Sequence, residues 1–188
     1  MTEPNPATNR TRDRVFAAGT KVLALALLPA ALLRAPGRAR RLACQWALAA
    51  RFPAENLDGL TGPALAAFTA ARTEAFWRDG QLIGLTSGHR DPAEQQRLYA
   101  AEVRRTGSPR AARRRILPAA ESAHVSGVAM DVRPTEGARW LEEHGGRYCL
   151  FRIYDNEWWH FEHRPEGGSQ APPRLPYPGA TTVHSGHR

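Results

Sequence analysis

A chain of 188 residues can hold one domain with a sizeable core plus tails. Its net charge of +8 is unevenly spread: residues 1–51 carry nine basic side chains against only Glu3 and Asp13, and the remainder is close to neutral. Two cysteines, Cys44 and Cys149, exclude a zinc ribbon and a CxxC redox pair, and leave a disulfide between them open. The arginine clusters, including Arg104 to Arg115, lack interleaved aromatics and match no helix-turn-helix or zinc-finger pattern. No nucleic-acid partner is expected; a solvated face, or one that meets anionic polymer or lipid head groups, is the simpler reading.

Residues 1–50 read as a tail made of a disordered start, the apolar run Val22–Leu33 and a basic stretch. About twelve apolar residues fall short of the ~20 needed to span a bilayer and suit the apolar region of a signal peptide. No clean small-x-small cleavage site follows, and Arg41-Leu-Ala-Cys44 resembles a lipoprotein cleavage box except for the arginine in an aliphatic position. Export or membrane tethering is therefore expected, cleavage of the segment is left open, and an amphipathic or buried helix is the other reading.

The folded unit is expected over 56–165. Leu65, Phe68, Ala71, Ala75 and Phe76 recur at helical spacing and stop before Asp79-Gly80, which predicts a helix over 61–77. Leu82–Thr86 reads as a strand. Asp91-Pro92 opens a second helix, with an N-cap and a proline in the first turn. Residues 107–118 form a basic, mobile connection. Val128–Val132 is a strand, 137–144 a helix stopped by Gly145-Gly146, and Leu150–Tyr154 with Trp158–His163 a hairpin around Asp155-Asn156. From 166 to 188 the chain is Pro/Gly-rich and polar, a flexible or surface-hugging tail in which His184 and His187 carry only a weak metal signal. This order implies an α+β domain with a small antiparallel sheet and flanking helices.

Two short runs carry the chemistry. Ser122-Ala-His124-Val-Ser-Gly127-Val-Ala-Met-Asp131 places a histidine and a carboxylate seven residues apart across a glycine. Glu157-Trp-Trp-His160-Phe-Glu162 adds a second histidine with a glutamate three residues before it. Three ligands, His124, Asp131 and His160, leave one tetrahedral position for water, the mark of catalytic rather than structural zinc. Glu157 supplies the carboxylate that a hydrolase needs beside that water. Alternation along the strand puts Val128, Met130 and Val132 on the core face and leaves Asp131 towards a cleft. Trp158, His160 and Glu162 share a face, so Glu157 is out of phase and has to reach the site from the irregular start of its strand. HExxH is absent, which excludes the helix-borne metallopeptidase type.

Ser122-x-His124-x-x-Gly127-x-Ala129-x-Asp131 with Glu157-x-Trp159-His160 resembles the zinc D-alanyl-D-alanine carboxypeptidases of the VanY type, which share a fold with the VanX dipeptidases and the zinc domain of hedgehog proteins. Ser87-Gly-His-Arg90-Asp-Pro-Ala-Glu-Gln95-Gln-Arg-Leu98-Tyr99 is similar to that family's Ser-Gly-Tyr-Arg-Ser…Gln-x-x-Leu segment. The resemblance covers residues 56–165. It implies a hedgehog/DD-peptidase-like domain with one zinc ion on His124, Asp131 and His160. It makes Glu157 the general base, which then returns its proton to the leaving amine, and Arg90 the group that binds the scissile carbonyl oxygen. Ser122 and Gln95 would help hold the substrate's terminal residue. The implied activity is removal of the terminal D-alanine from peptidoglycan stem peptides in the cell envelope, with a monomer as the default. His89 in place of tyrosine, Asp91 in place of serine and Trp158 in place of proline spare the ligands and the base, and bear on the substrate pocket. A peptidoglycan endopeptidase or a D,D-dipeptidase would use the same fold. A non-catalytic, zinc-containing wall-binding module would need neither Glu157 nor Arg90.

Overall fold

Alternation along one central strand sets the layering. The computed structural model describes residues 6–168 and 170–181. Strands β1 (Gly84–Ser87), β2 (Ala129–Arg133), β3 (Leu150–Arg152) and β4 (His160–His163) form one antiparallel sheet in the order β1-β2-β4-β3. Met130 and Val132 of β2, Phe161 of β4, Leu150 of β3 and Ile83 and Leu85 at β1 share a core with helices α3 (Gly62–Asp79) and α6 (Thr135–His144), which supply Phe68, Ala71, Ala75, Trp140 and Leu141. Each fully buried large side chain in that layer contributes roughly 1.5–3 kcal/mol. Asp131 and His160, opposite one another in the β2–β4 register, point away from it.

Local signals account for the helix limits. Thr61 caps α3, accepting from the Ala64 N–H, and Gly80 ends it at a φ of 65°. Asp91 caps α4 (Pro92–Thr106) through the Ala93 and Glu94 amides, and Gly107 closes it. The expected hairpin forms, with Leu150 opposite His163. Its second strand starts at His160, two residues later than the pattern suggests, and Trp158 and Trp159 lie in the preceding turn. The connection after α4 is fastened, contrary to the mobile segment expected. A short helix, α5 (Pro109–Ala112), occupies part of it, and the Leu117 and Arg114 carbonyls accept from the Gln95 and Asn156 side-chain amides.

At the N-terminus, α1 (Pro6–Arg34) and α2 (Ala39–Arg51) replace the expected tail with two packed helices. Ala24, Ala31, Ala43 and Ala47 are fully buried, and small side chains at these positions let the helices approach closely. Ala24, Cys44, Leu48 and Phe52 join Phe76 and Leu82 in a second core, so α3 is covered on both sides. Cys44 is buried in that core and Cys149 lies in the turn before β3; both are free thiols. Beyond β4, among the described residues, Leu175 bridges Tyr154 and packs with Phe151 and Ile153 on the surface of the domain. His184 and His187 lie outside the described residues.

Candidate metal centre

The β2–β4 ladder builds two of the three candidate ligands. Asp131 and His160 are cross-strand partners, and Nδ1 of His160 stands 3.0 Å from Oδ1 of Asp131. His124 comes from the loop before β2. Its Nδ1 is 2.7 Å from the Gly88 carbonyl, an arrangement that assigns the proton to Nδ1 and leaves Nε2 with its lone pair. That Nε2 lies 3.4 Å from the same Asp131 oxygen. The Arg90 amide donates to the His124 carbonyl, tying this loop to the one carrying Arg90.

One donor atom from each of His124, Asp131 and His160 lies within 4.8 Å of the others, close enough to hold a metal ion. Zinc with bond lengths of about 2.0–2.1 Å in a tetrahedron puts neighbouring donors about 3.3 Å apart. The 3.0 and 3.4 Å separations of the donors from Asp131 Oδ1 fit that spacing. Two imidazoles and one carboxylate suit a borderline-soft divalent ion and leave one position open.

Charge in the cluster follows from the neighbours. Burial works against ionising Asp131, yet the neighbouring imidazoles of His124 and His160 hold its carboxyl far below the usual range. Burial likewise opposes a charged His160, and the two flanking carboxylates, Asp131 and Glu162, outweigh it and raise the imidazole to about 9. Glu157 sits in the turn before β4 with Oε2 at 3.9 Å from His160 Nδ1, so its reach from the irregular start of the strand is realised. Its pKa is raised, chiefly by burial.

Around this cluster lies a cleft of about 400 Å³ whose walls include Arg90, Gln95, Arg115, Ser122, Tyr154, Asn156, Glu157 and Trp159. The Arg90 guanidinium donates to Gln95 Oε1 at 2.6 Å and Ser87 Oγ at 3.0 Å. The other end of the Gln95 amide donates to the Leu117 carbonyl at 2.7 Å, so this buried side chain links Arg90 to the far wall. Ser122 is buried and lines the cleft beside His124. All seven residues singled out in the sequence border this one cleft.

Three groups went unassigned in the sequence. Glu162 is fully buried, with Oε1 at 3.0 Å from His160 Nε2 and its other oxygen receiving the Arg164 guanidinium. Burial tends to raise its pKa, while His160 and Arg164 pull it down more strongly. Its two-residue spacing from His160 is the signal that finds it. The Tyr154 ring lies 5.0 Å from the His160 ring, and Arg115 reaches the cleft from the segment after α5.

No protein-family model matches the sequence, and no curated protein matches it. Solved structures do. The chain is 20% identical to an LdcB LD-carboxypeptidase, with a TM-score of 0.50, and the match covers 55% of this chain and 58% of that one. A VanY D,D-pentapeptidase from a VanB-type resistance cassette, solved with Zn(II), matches at 23% identity and a TM-score of 0.50 over 58% of this chain and 76% of its own. VanYB in complex with D-alanine-D-alanine matches at 20% identity and a TM-score of 0.52, covering 58% and 74%. This chain thus spans little more than half the length of the LdcB protein. The domain carrying the His-Asp-His cluster is built on the VanY/LdcB carboxypeptidase fold, the hedgehog/DD-peptidase-like architecture that the motifs imply.

Proposed function

We propose that this chain is a zinc-dependent D-alanyl-D-alanine carboxypeptidase that removes the terminal D-alanine from peptidoglycan stem peptides. The observation that carries the reading is the convergence of His124, Asp131 and His160 with a half-buried Glu157 in one open cleft. The likeness to VanYB, a structure solved with D-alanine-D-alanine, supports the substrate class.

His124, Asp131 and His160 would hold the ion. When bound, zinc acts as a Lewis acid and brings the pKa of water to about 7. Glu157 takes the proton of the attacking water and passes it to the leaving amine; its burial favours holding that proton between the two steps. Arg90, fixed by Gln95 and Ser87, presents a permanent cation to the carbonyl oxygen as negative charge develops there, a contact worth roughly 3–4 kcal/mol of barrier. Gln95 has both ends of its amide engaged and acts through Arg90. Ser122, buried in the wall of the cleft, would help hold the terminal residue of the substrate. The protein works as a monomer in the cell envelope, exported or tethered.

The test is mass spectrometry of a purified muropeptide ending in D-Ala-D-Ala, with parallel samples containing chelator or the Glu157→Gln variant. Loss of one alanine, abolished in both controls, is expected. Cleavage elsewhere in the stem would make the protein an endopeptidase. Release of the intact dipeptide would make it a dipeptidase. An untouched substrate with zinc fully loaded would make it a wall-binding module.

A further inference from the structure

The outer face of α1 is apolar from Val15 to Leu33. Val15, Val22, Leu25, Leu32 and Leu33 are exposed, and seven of the nine large apolar side chains exposed among the described residues belong to this helix. Arg14–Arg34 is long and apolar enough to cross a bilayer by length and composition. Its packing does not leave it free to do so. Ala24 and Ala31 are fully buried against α2 and α3, and Arg51 at the end of α2 lies over the Phe16 ring at 4.3 Å. Lys21, the one charge between Val15 and Leu33, turns inward to the Trp77 carbonyl at 3.2 Å. The helix therefore presents an uncharged stripe outward while staying attached along its other side.

Cations surround that stripe. Residues 14–51 contain seven basic side chains and no acid. At the N-terminal end of the stripe a groove of about 720 Å³ is walled by Arg14, Arg51, Arg133 and Arg139 against a single carboxylate, Glu136. Nε of Arg51 is buried there with no hydrogen-bond partner among the described residues. A second copy of the chain would bring seven cations against seven. An anionic bilayer supplies both halves of the complement, acyl chains for the stripe and phosphates for the groove.

We infer that α1 lies in the plane of an anionic membrane surface, its outer face sunk about 5–10 Å into the head-group boundary with lipid phosphates held in the arginine groove. This stands on observations separate from the peptidase reading.

Flotation of the purified full-length chain with vesicles tests this. Binding is expected to vesicles of mixed phosphatidylglycerol and phosphatidylcholine and not to pure phosphatidylcholine. Val22→Glu with Leu25→Glu, and separately Arg133→Glu with Arg139→Glu, are each expected to weaken binding at least roughly tenfold. Muropeptide hydrolysis and zinc content, measured on the same samples, report independently on folding and on the peptidase reading. Several results would overturn the inference: binding insensitive to both pairs, resistance to carbonate extraction from cell membranes, vesicle-free dimerisation abolished by the Val22 and Leu25 changes, or binding of an oligonucleotide in place of vesicles.

Discussion

The Nε2 atom of His160 lies 3.0 Å from Oε1 of Glu162, two residues further along the same strand face, while its Nδ1 faces Asp131. A carboxylate behind a ligating imidazole fixes both its tautomer and its ring orientation. Glu162→Gln keeps the shape and loses the charge, so zinc affinity is expected to fall about 10–100-fold. Competition against a chromophoric chelator measures this; unchanged affinity would reduce Glu162 to a partner of Arg164.

Gly127 adopts a φ of 71°, and a Cβ there would sit 2.4 Å from the Gly59 carbonyl oxygen. Its own carbonyl receives the Thr61 amide, which joins the His124 loop to the start of α3. Gly127→Ala is expected to cost about 1–2 kcal/mol for the backbone conformation alone, with the overlap in addition. Urea denaturation reads the loss, and zinc affinity should drop with it because His124 is three residues away.

Glu55 and Arg72 form an ion pair at 2.9 Å with both side chains about 95% buried, and the second Glu55 oxygen accepts the Leu85 amide of β1. Burial lowers the Arg72 pKa, with Glu55 opposing that shift. Removing one partner strands the other charge, so Glu55→Ala is expected to destabilise by about 3–5 kcal/mol. Glu55→Ala with Arg72→Met should be milder than Glu55→Ala alone, a non-additivity that a double-mutant cycle reads directly.

Asp79, at the end of α3, accepts bonds from Arg78 and from the Trp140 indole of α6, and these bring its carboxyl down to about 2 from 3.8. A folded-state pKa below the unfolded one means that the contribution is complete above about pH 4 and lost as pH falls towards 2. Thermal melts of the parent and of Asp79→Asn between about pH 5 and 2, a range that spans the ordinary Asp value of about 3.9, should therefore converge on acidification. A constant offset across that range would exclude this linkage.

The strand phases, the caps of α3 and α4 and the gathering of His124, Asp131 and His160 were readable because each rests on local rules. Period-two alternation put Met130 and Val132 inward and Asp131 outward, and Asp91-Pro92 marked a helix start. What stayed hidden depends on distant partners. The anchoring of residues 107–118 uses Gln95 and Asn156, which lie far along the chain from Leu117 and Arg114. The packing of α1 on α2 runs through alanines in a segment apolar on every side, so no periodic stripe marks which face is covered. Glu162 looked like any polar residue of a strand end until the opposite face of the sheet proved to be enclosed.

The cross-strand placement of Asp131 and His160 also bears on when the ion can be acquired. His124 and Asp131 are near neighbours in the chain, but the third donor arrives only once β4 has paired with β2 in register. A one-residue slip of β4 would turn His160 into the core while Asp131 kept its place on the cleft face. A nascent or partly unfolded chain thus offers at most two of the donors, and tight loading is reserved for molecules whose sheet has closed correctly.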